Sequence, residues 1–268
     1  MQYKKFDAHA HIYPEAVAEK ANENLGKFYD FTVRCAGTYS DLEKQIIDNG
    51  FSGMFLLSVA TSARQVEKVN DAGAAALRQA RAKGLEAYSF MAMHQDYVDM
   101  AAEVNRCEKL GFTGVKIHPD IQEVNIDDDR FMKLYECIEG RMPLFLHMGD
   151  SRAEYQYSHA NRLAKILDIF PKLKVIAAHF GSYSVWDNAQ CLYGRENVWY
   201  DLSSALWCLS PEHAKTLIER CGYERVMFGT DYPIYSLKDY SALFERLDLT
   251  ERQRADIYYN NAMRFLQA

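Results

Sequence analysis

Apolar runs alternate with amphipathic stretches from one end of the chain to the other. Eight runs are apolar over most of their length, as is typical of parallel strands buried on both faces. They cover residues 4–12, 50–60, 85–94, 112–119, 143–149, 173–181, 197–205 and 225–233. Helical patterns lie between them; Leu163, Ile166 and Phe170, for example, share one helix face before Pro171 ends the pattern.

This succession predicts the fold class. Eight strands, each followed by a helix and with no Pro/Gly/Ser-rich linker between them, indicate one α/β domain, a single (β/α)8 TIM barrel over residues 1–268. The gap after the first strand is the longest and holds an aromatic-rich insertion at residues 12–39. In a barrel this insertion lies at the C-terminal mouth, where it either covers a substrate or packs over the barrel top.

Composition and charge exclude some classes of protein and argue against some classes of partner. Of the 268 residues 49% are hydrophobic and 25% charged, which excludes intrinsic disorder. The net charge of −6, with no Lys/Arg cluster, argues against nucleic acid or an anionic membrane as a partner. Six scattered cysteines indicate free thiols in a reducing compartment. With no signal-peptide core and no membrane-length apolar run, we expect a cytoplasmic protein.

The histidines are placed unevenly. Six of the eight fall at the C-terminal ends of predicted strands, namely His9, His11, His94, His118, His147 and His179. Those strand ends form the active-site face of a barrel. A single histidine beside an apolar strand is more often a core residue than a ligand, but six on one rim indicate a site.

His9 and His11 are the sharpest metal-binding signal. Side chains at i and i+2 of a strand point the same way, about 6.6 Å apart along it, so both imidazoles can reach one cation. Asp231 follows a Gly-Thr turn at the end of the last predicted strand. It could bind the same metal and take a proton from a bound water, or it could cap the next turn.

Other strand ends carry further candidates. His147 and His179 close the fifth and sixth strands, each with a glycine within two residues, which leaves room for a ligand beside the ring. Lys116 and His118 repeat the i, i+2 spacing on the fourth strand. Lys116 could be a substrate anchor, a carboxylated metal bridge or a barrel lysine paired with an acid. Asp201 either orients a ligand histidine or has a structural role.

Five motifs occur in a fixed order along the chain: HxH at residues 9–11, GVKIHP on the fourth strand, LFLHMG on the fifth, AAHFG on the sixth and FGTDYP on the eighth. Together they resemble the amidohydrolase superfamily, and in particular the amidohydrolase-related branch that includes aminocarboxymuconate-semialdehyde decarboxylase. The resemblance covers essentially the whole chain. The combination is specific, although no single motif is.

The resemblance implies a mononuclear site with one zinc or other divalent ion per chain. The implied ligands are His9, His11, His147 and Asp231. It also implies that His179 acts beside the metal as acid/base or electrophile, and it suggests a homo-oligomer. In binuclear relatives a lysine or glutamate of the fourth strand bridges a second metal. Lys116 stands at about that position, with His118 beside it, so both are candidates for a second metal or for substrate.

The motifs place hydrolysis of an amide, ester or lactone first. A bound divalent cation lowers the pKa of water from 15.7 to about 7. Asp231 would take the proton, and His179 would polarise the carbonyl oxygen. Tyr183 and Tyr232 adjoin the predicted site and are candidate substrate contacts.

Three alternatives remain open at this point. The same site could decarboxylate a small aromatic or enoic acid, with Arg34 or Arg152 gripping a carboxylate, although decarboxylases of this branch are generally longer than this chain. A phosphoesterase that begins DxHxH typically has a histidine soon after its last Asp, where this chain has Tyr232 and Pro233. The protein could also be a non-catalytic barrel that binds a ligand or partner. Its histidines would then have no catalytic role, and it would bind metal poorly.

Overall fold

The computed structural model describes residues 3–268. In this part of the chain the strands are β1 (Phe6–His11), β2 (Gly53–Leu57), β3 (Glu86–Ala92), β4 (Gly114–Ile117), β5 (Leu144–Leu146), β6 (Val175–Ala177), β7 (Val198–Asp201) and β8 (Val226–Met227). The helices are α1 (Glu15–Tyr29), α2 (Tyr39–Asp48), α3 (Val66–Ala82), α4 (Met100–Lys109), α5 (Pro119–Gln122), α6 (Asp129–Ile138), α7 (Ala160–Ile169), α8 (Pro211–Cys221), α9 (Leu237–Phe244), α10 (Glu251–Ala255) and α11 (Asn261–Gln267). None of the described helices is long and apolar enough to cross a bilayer.

The strands form one parallel sheet in the order β1 to β8. The two edges meet, because the Ala8 amide donates to the Phe228 carbonyl (2.8 Å) and the Asp231 amide donates to the His9 carbonyl (2.9 Å). The predicted (β/α)8 barrel is therefore confirmed. Between β6 and β7 the 3₁₀-helical segment Trp186–Leu192 stands in place of an α-helix, and two α-helices lie between β1 and β2 and two more between β4 and β5.

The strands are shorter than the apolar runs that predicted them. The run at 173–181 contains the strand Val175–Ala177, and the run at 225–233 contains Val226–Met227. The backbone leaves the extended conformation at His179 (φ 58°) and Asp231 (φ 59°). Non-glycine residues with positive φ are strained and concentrate at functional sites. These two turns re-aim side chains that hydropathy alone counts as strand.

Aromatic side chains fill the half of the barrel that lies away from the C-terminal strand ends. Phe6, Phe55, Phe90 and Phe145 stack edge to face inside it, with successive ring centroids 4.9, 5.3 and 5.3 Å apart. Phe265 of α11 packs below Phe55. Each aromatic pair contributes about 0.5–1.5 kcal/mol beyond its buried area. The rings occupy this end of the barrel, and the cavity lies at the C-terminal ends of the strands.

The insertion after β1 contains α1. Its residues Val17, Ala21, Leu25 and Phe28 recur at helical spacing and face a cavity at the barrel mouth. Among the described residues of α1, Ala18 alone is fully buried. Of the two roles left open for the insertion, the structure therefore shows the cover over a cavity.

Candidate metal centre

A β-bulge in β1 presents the first two histidines. The pairing of β1 with β2 slips by one residue between Asp7 and Ala10. A bulge places an extra residue on one strand and re-aims a side chain. Both His9 and His11 consequently point into the barrel mouth, and their Nε2 atoms lie 3.1 Å apart.

Asp231 reaches the same point from the other side of the closed sheet. Its Oδ1 lies 3.2 Å from His9 Nε2 and 3.7 Å from His11 Nε2, and all three side chains are buried. The Ser204 hydroxyl donates to its Oδ2. Two imidazole nitrogens and one carboxylate oxygen that face a common point are a donor set suited to a divalent ion such as zinc.

The protonation states also fit a metal. His9 Nδ1 lies 3.0 Å from Asp201 Oδ2, so its proton belongs there and its Nε2 lone pair faces the common point. Burial, and after it the neighbouring His9, lowers the pKa of His11 well below its usual value, which favours the neutral ligand form. Burial raises the pKa of Asp201, but His9, His179 and the Ser203 hydroxyl together outweigh it, and the net pKa is lowered. Asp201 therefore stays a carboxylate.

His147 and His179 form a second, linked pair. His179 Nδ1 donates to the Ser203 carbonyl (2.9 Å), which leaves Nε2 as an acceptor. His147 Nδ1, 3.0 Å away, then donates to that Nε2. His147 Nε2 lies 3.3 Å from the Tyr29 hydroxyl, and His147 is not part of the three-donor group of His9, His11 and Asp231.

Tyr29 and Asp120 also lie beside these histidines. On sequence grounds Tyr29 is placed only within the aromatic insertion, and Asp120 is not predicted as a site residue. The Tyr29 hydroxyl also lies 3.0 Å from His118 Nε2, and the His118 and His147 rings stack with centroids 4.0 Å apart. Asp120 Oδ2 lies 3.5 Å from His147 Nε2, and burial raises the Asp120 pKa to about 7. His118, Asp120 and His147 thus make another group of three donors. The one available signal for Asp120 was its position just after the GVKIHP motif.

Lys116 lies inside the barrel between these groups. Its side chain is buried, with Nζ 4.6 Å from the centre of the Phe145 ring. Its Nζ has no hydrogen-bond partner among the described residues. Burial lowers the Lys116 pKa to about 8. Of its three candidate roles, pairing with an acid therefore has no hydrogen bond to support it.

The two tyrosines predicted to contact substrate lie in different places. Tyr183 lines the cavity. Tyr232 is fully buried elsewhere, where its hydroxyl donates to Asp41 Oδ2 (2.7 Å). The positive φ of Asp231 turns the chain, so the side chains at 231 and 232 diverge. The structure therefore brings Tyr183, and not Tyr232, to the site.

The two candidate arginines do not line the cavity, although Arg152 lies behind the lining residue Phe28, with its guanidinium carbon 4.6 Å from the ring centre. Arg152 donates to both carboxylate oxygens of Asp150 (3.0 and 2.7 Å) and stacks on Tyr155, with its guanidinium carbon 4.0 Å from the ring centre. Arg34 lies over the Tyr235 ring at 4.9 Å. Neither borders the cavity in this arrangement.

The cavity above these groups has a volume of about 630 Å³. Its floor is polar and includes His11, His147, His179 and Asp231. His94, the sixth strand-end histidine, does not reach it and instead accepts the Asp96 amide at 3.2 Å. A polar floor beneath apolar walls is typical of a small-molecule site.

Comparison with known proteins shows the family of the chain. Residues 6–268 match the amidohydrolase family model. The chain is 28% identical to a protein named decarboxylase orsB from Emericella nidulans, over 37% of this chain, and it spans 36% of that relative's length.

Solved structures share the whole fold. 5-carboxyvanillate decarboxylase LigW from Sphingomonas paucimobilis is 16% identical, covers 99% of each chain and has a TM-score of 0.76. Dihydroxybenzoic acid decarboxylase from Polaromonas sp. JS666, with bound manganese and the inhibitor 2-nitroresorcinol, is 17% identical over 99% of this chain and 97% of that one, with a TM-score of 0.76. At these identities the likeness establishes the fold.

Proposed function

The chain belongs to the amidohydrolase family, and from this premise we propose that it is a metal-dependent, non-oxidative decarboxylase of a small aromatic or enoic acid. The observation that carries the proposal is the buried group of His9, His11 and Asp231 at the floor of an apolar-walled cavity. Decarboxylation needs no water, which suits such a cavity better than hydrolysis does. The similar proteins named above are decarboxylases, which supports this reaction over the hydrolysis that the motifs alone place first.

In this proposal His9, His11 and Asp231 hold one divalent ion, with zinc and manganese as the two candidates. His147 is the proposed fourth donor, and it would exchange its contact with Tyr29 for the cation. When bound, the ion supplies positive charge that fixes the oxygens of the acid and stabilises negative charge as it develops.

The reaction breaks the bond between the carboxyl carbon and its neighbour. The electron pair stays on the neighbouring carbon, which then accepts a proton, and carbon dioxide leaves. The reaction consumes one proton from solvent. Asp231 is the only acidic side chain among the described residues that line the cavity, so we assign it the uptake of this proton and its transfer to the carbon. His179 has both ring nitrogens hydrogen-bonded, and its proposed role is to hold His147 in place.

The test is carbon dioxide release from a panel of hydroxybenzoic and enoic acids, with metal content measured by plasma mass spectrometry. We expect about one ion per chain, lost in the His9→Ala/His11→Ala variant. Asp231→Asn should lower kcat/KM by about 10²–10⁴, whereas the exposed Asp239→Asn serves as the matched control. Turnover of esters or lactones without carbon dioxide release would instead support hydrolysis. Absence of both metal and turnover would support a binding barrel.

A further inference from the structure

The apolar face of α1 is directed at the cavity. Val17, Ala21, Leu25 and Phe28 line it, and none of the four is fully buried. A surface helix normally packs its apolar stripe against the core of its own protein. Here that stripe faces open space directly above the site, so a ligand would complete its burial.

Four further apolar side chains line the cavity, and they come from separate parts of the chain. Val59 follows β2, Val69 lies on α3, Ile121 lies on α5 and Ile234 follows β8. All four are half-buried. Apolar side chains from four separate segments thus border the same cavity as the stripe of α1. The proposed donors lie at the floor, and the remaining polar lining includes Lys20, Asn24, Thr61, Gln65 and Lys68.

The cavity is too large for a one-ring acid alone. A cavity of about 150 Å³ accommodates benzene, whereas this one measures about 630 Å³. A single ring at the floor would leave most of the volume, and nearly all of the apolar wall, without contact.

We propose that the substrate is an acid with an apolar substituent, either an alkyl chain of several carbons or a second ring, seated beneath α1. The carboxylate end lies at the histidines, and this part rests on the proposed function. The apolar end is recognised by burial, since the stripe of α1 and the valine and isoleucine side chains of the other segments offer hydrocarbon surface.

Binding of unreactive probes tests the apolar end separately from catalysis. The probes are resorcinols that bear no chain or a methyl, propyl or pentyl chain, titrated by calorimetry into the manganese-loaded protein. Each methylene that is buried should tighten Kd about fourfold. From methyl to pentyl we therefore expect a gain of about a hundredfold or more.

A matched pair of variants tests whether the alkyl chain of the probe lies beneath α1. Ala21→Leu places added bulk on the cavity face of α1, and Ala16→Leu places the same bulk on an exposed position of the same helix that does not line the cavity. Ala21→Leu should reduce the ratio of pentyl to methyl affinity by about tenfold or more, corresponding to about two lost methylenes. Ala16→Leu should leave that ratio as in the parent protein.

The outcomes separate the two proposals. Affinity that is flat or falls with chain length, or no binding of any probe, overturns the apolar-substituent inference even if short acids are decarboxylated. Affinity that rises with chain length while no acid of the matching series loses carbon dioxide upholds the inference and overturns the proposed function.

Discussion

The histidines of the site depend on polar groups that do not face the metal position. Asp201 Oδ2 contacts His9 Nδ1 (3.0 Å), while its Oδ1 accepts the backbone amides of His179 (3.2 Å) and Ser203 (2.9 Å). One buried carboxylate therefore fixes both the ring of His9 and the backbone of His179. The two roles considered for Asp201 from its sequence position, orienting a histidine and supporting the structure, are both visible.

Asp201→Asn should weaken metal binding. The amide cannot match the charge of the carboxylate beside His9 Nδ1, and the loss of such a partner typically costs 10–100-fold in metal affinity. Competition titration of manganese or zinc against a chelator measures this. The exposed Asp96→Asn, also at the barrel mouth, provides the control. Equal affinities in the two variants would mean that Asp201 does not act through His9.

At the scale of elements, Asn70 joins three of them. From α3 its side chain accepts the Ala92 amide (2.7 Å) and donates to the Ala92 carbonyl (3.1 Å) at the end of β3. It also donates to Glu103 of α4 (2.8 Å), which in turn pairs with Arg106. Burial raises the Glu103 pKa, but the hydrogen bonds from Arg106 and Asn70 outweigh it, and the net pKa is lowered.

Glu103→Gln should reduce stability in a pH-dependent way. A carboxylate whose pKa is lowered by folding stabilises the protein above its unfolded pKa, about 4.5 for glutamate, and the contribution disappears as the pH falls through the folded value. We expect a loss of about 1–3 kcal/mol at neutral pH. Urea denaturation of both proteins at neutral pH and near pH 3 measures it, and the difference should shrink at the lower pH. A difference that is the same at both pH values contradicts this assignment.

At the scale of the whole molecule, Asp7 connects the first strand of the sheet to the segment that follows the last strand. Its carboxylate accepts the Thr230 amide (3.0 Å), the Thr230 hydroxyl (2.6 Å) and the His9 amide (3.0 Å). Burial raises the Asp7 pKa to about 6. The same group thus closes the sheet and anchors the strand that carries His9.

Asp7→Ala should destabilise the protein by about 2–4 kcal/mol, because it leaves three buried donors without a partner. For a chain of this size each kcal/mol lowers Tm by about 2–4 °C. Thr230→Val removes one of the three hydrogen bonds and should cost less. Thermal unfolding of the metal-free proteins measures both changes. If the Thr230→Val loss equals the Asp7→Ala loss, Asp7 contributes through Thr230 Oγ1 alone.

The barrel could be predicted from the sequence because buried parallel strands need apolar side chains on both faces, and those runs are visible in one dimension. The placement of His9, His11, His147 and His179 at the barrel mouth followed from the same pattern, since all parallel strands end on one rim. Asp231 could be identified because it follows a Gly-Thr turn at the C-terminal end of the last apolar run. Local order along the chain determined these features.

Only the tertiary structure decided which polar groups meet. Tyr29 reaches His118 and His147 from a helix far away in sequence, and no local pattern encodes that approach. Tyr232 lies outside the site because the backbone turns at Asp231, where φ is positive. Hydropathy carries no information on such a turn. Side-chain direction at a turn and the packing of a loop-borne helix depend on long-range contacts. The sequence by itself therefore determined the rim on which the chemistry lies, and the fold in three dimensions decided the contacts and the cavity.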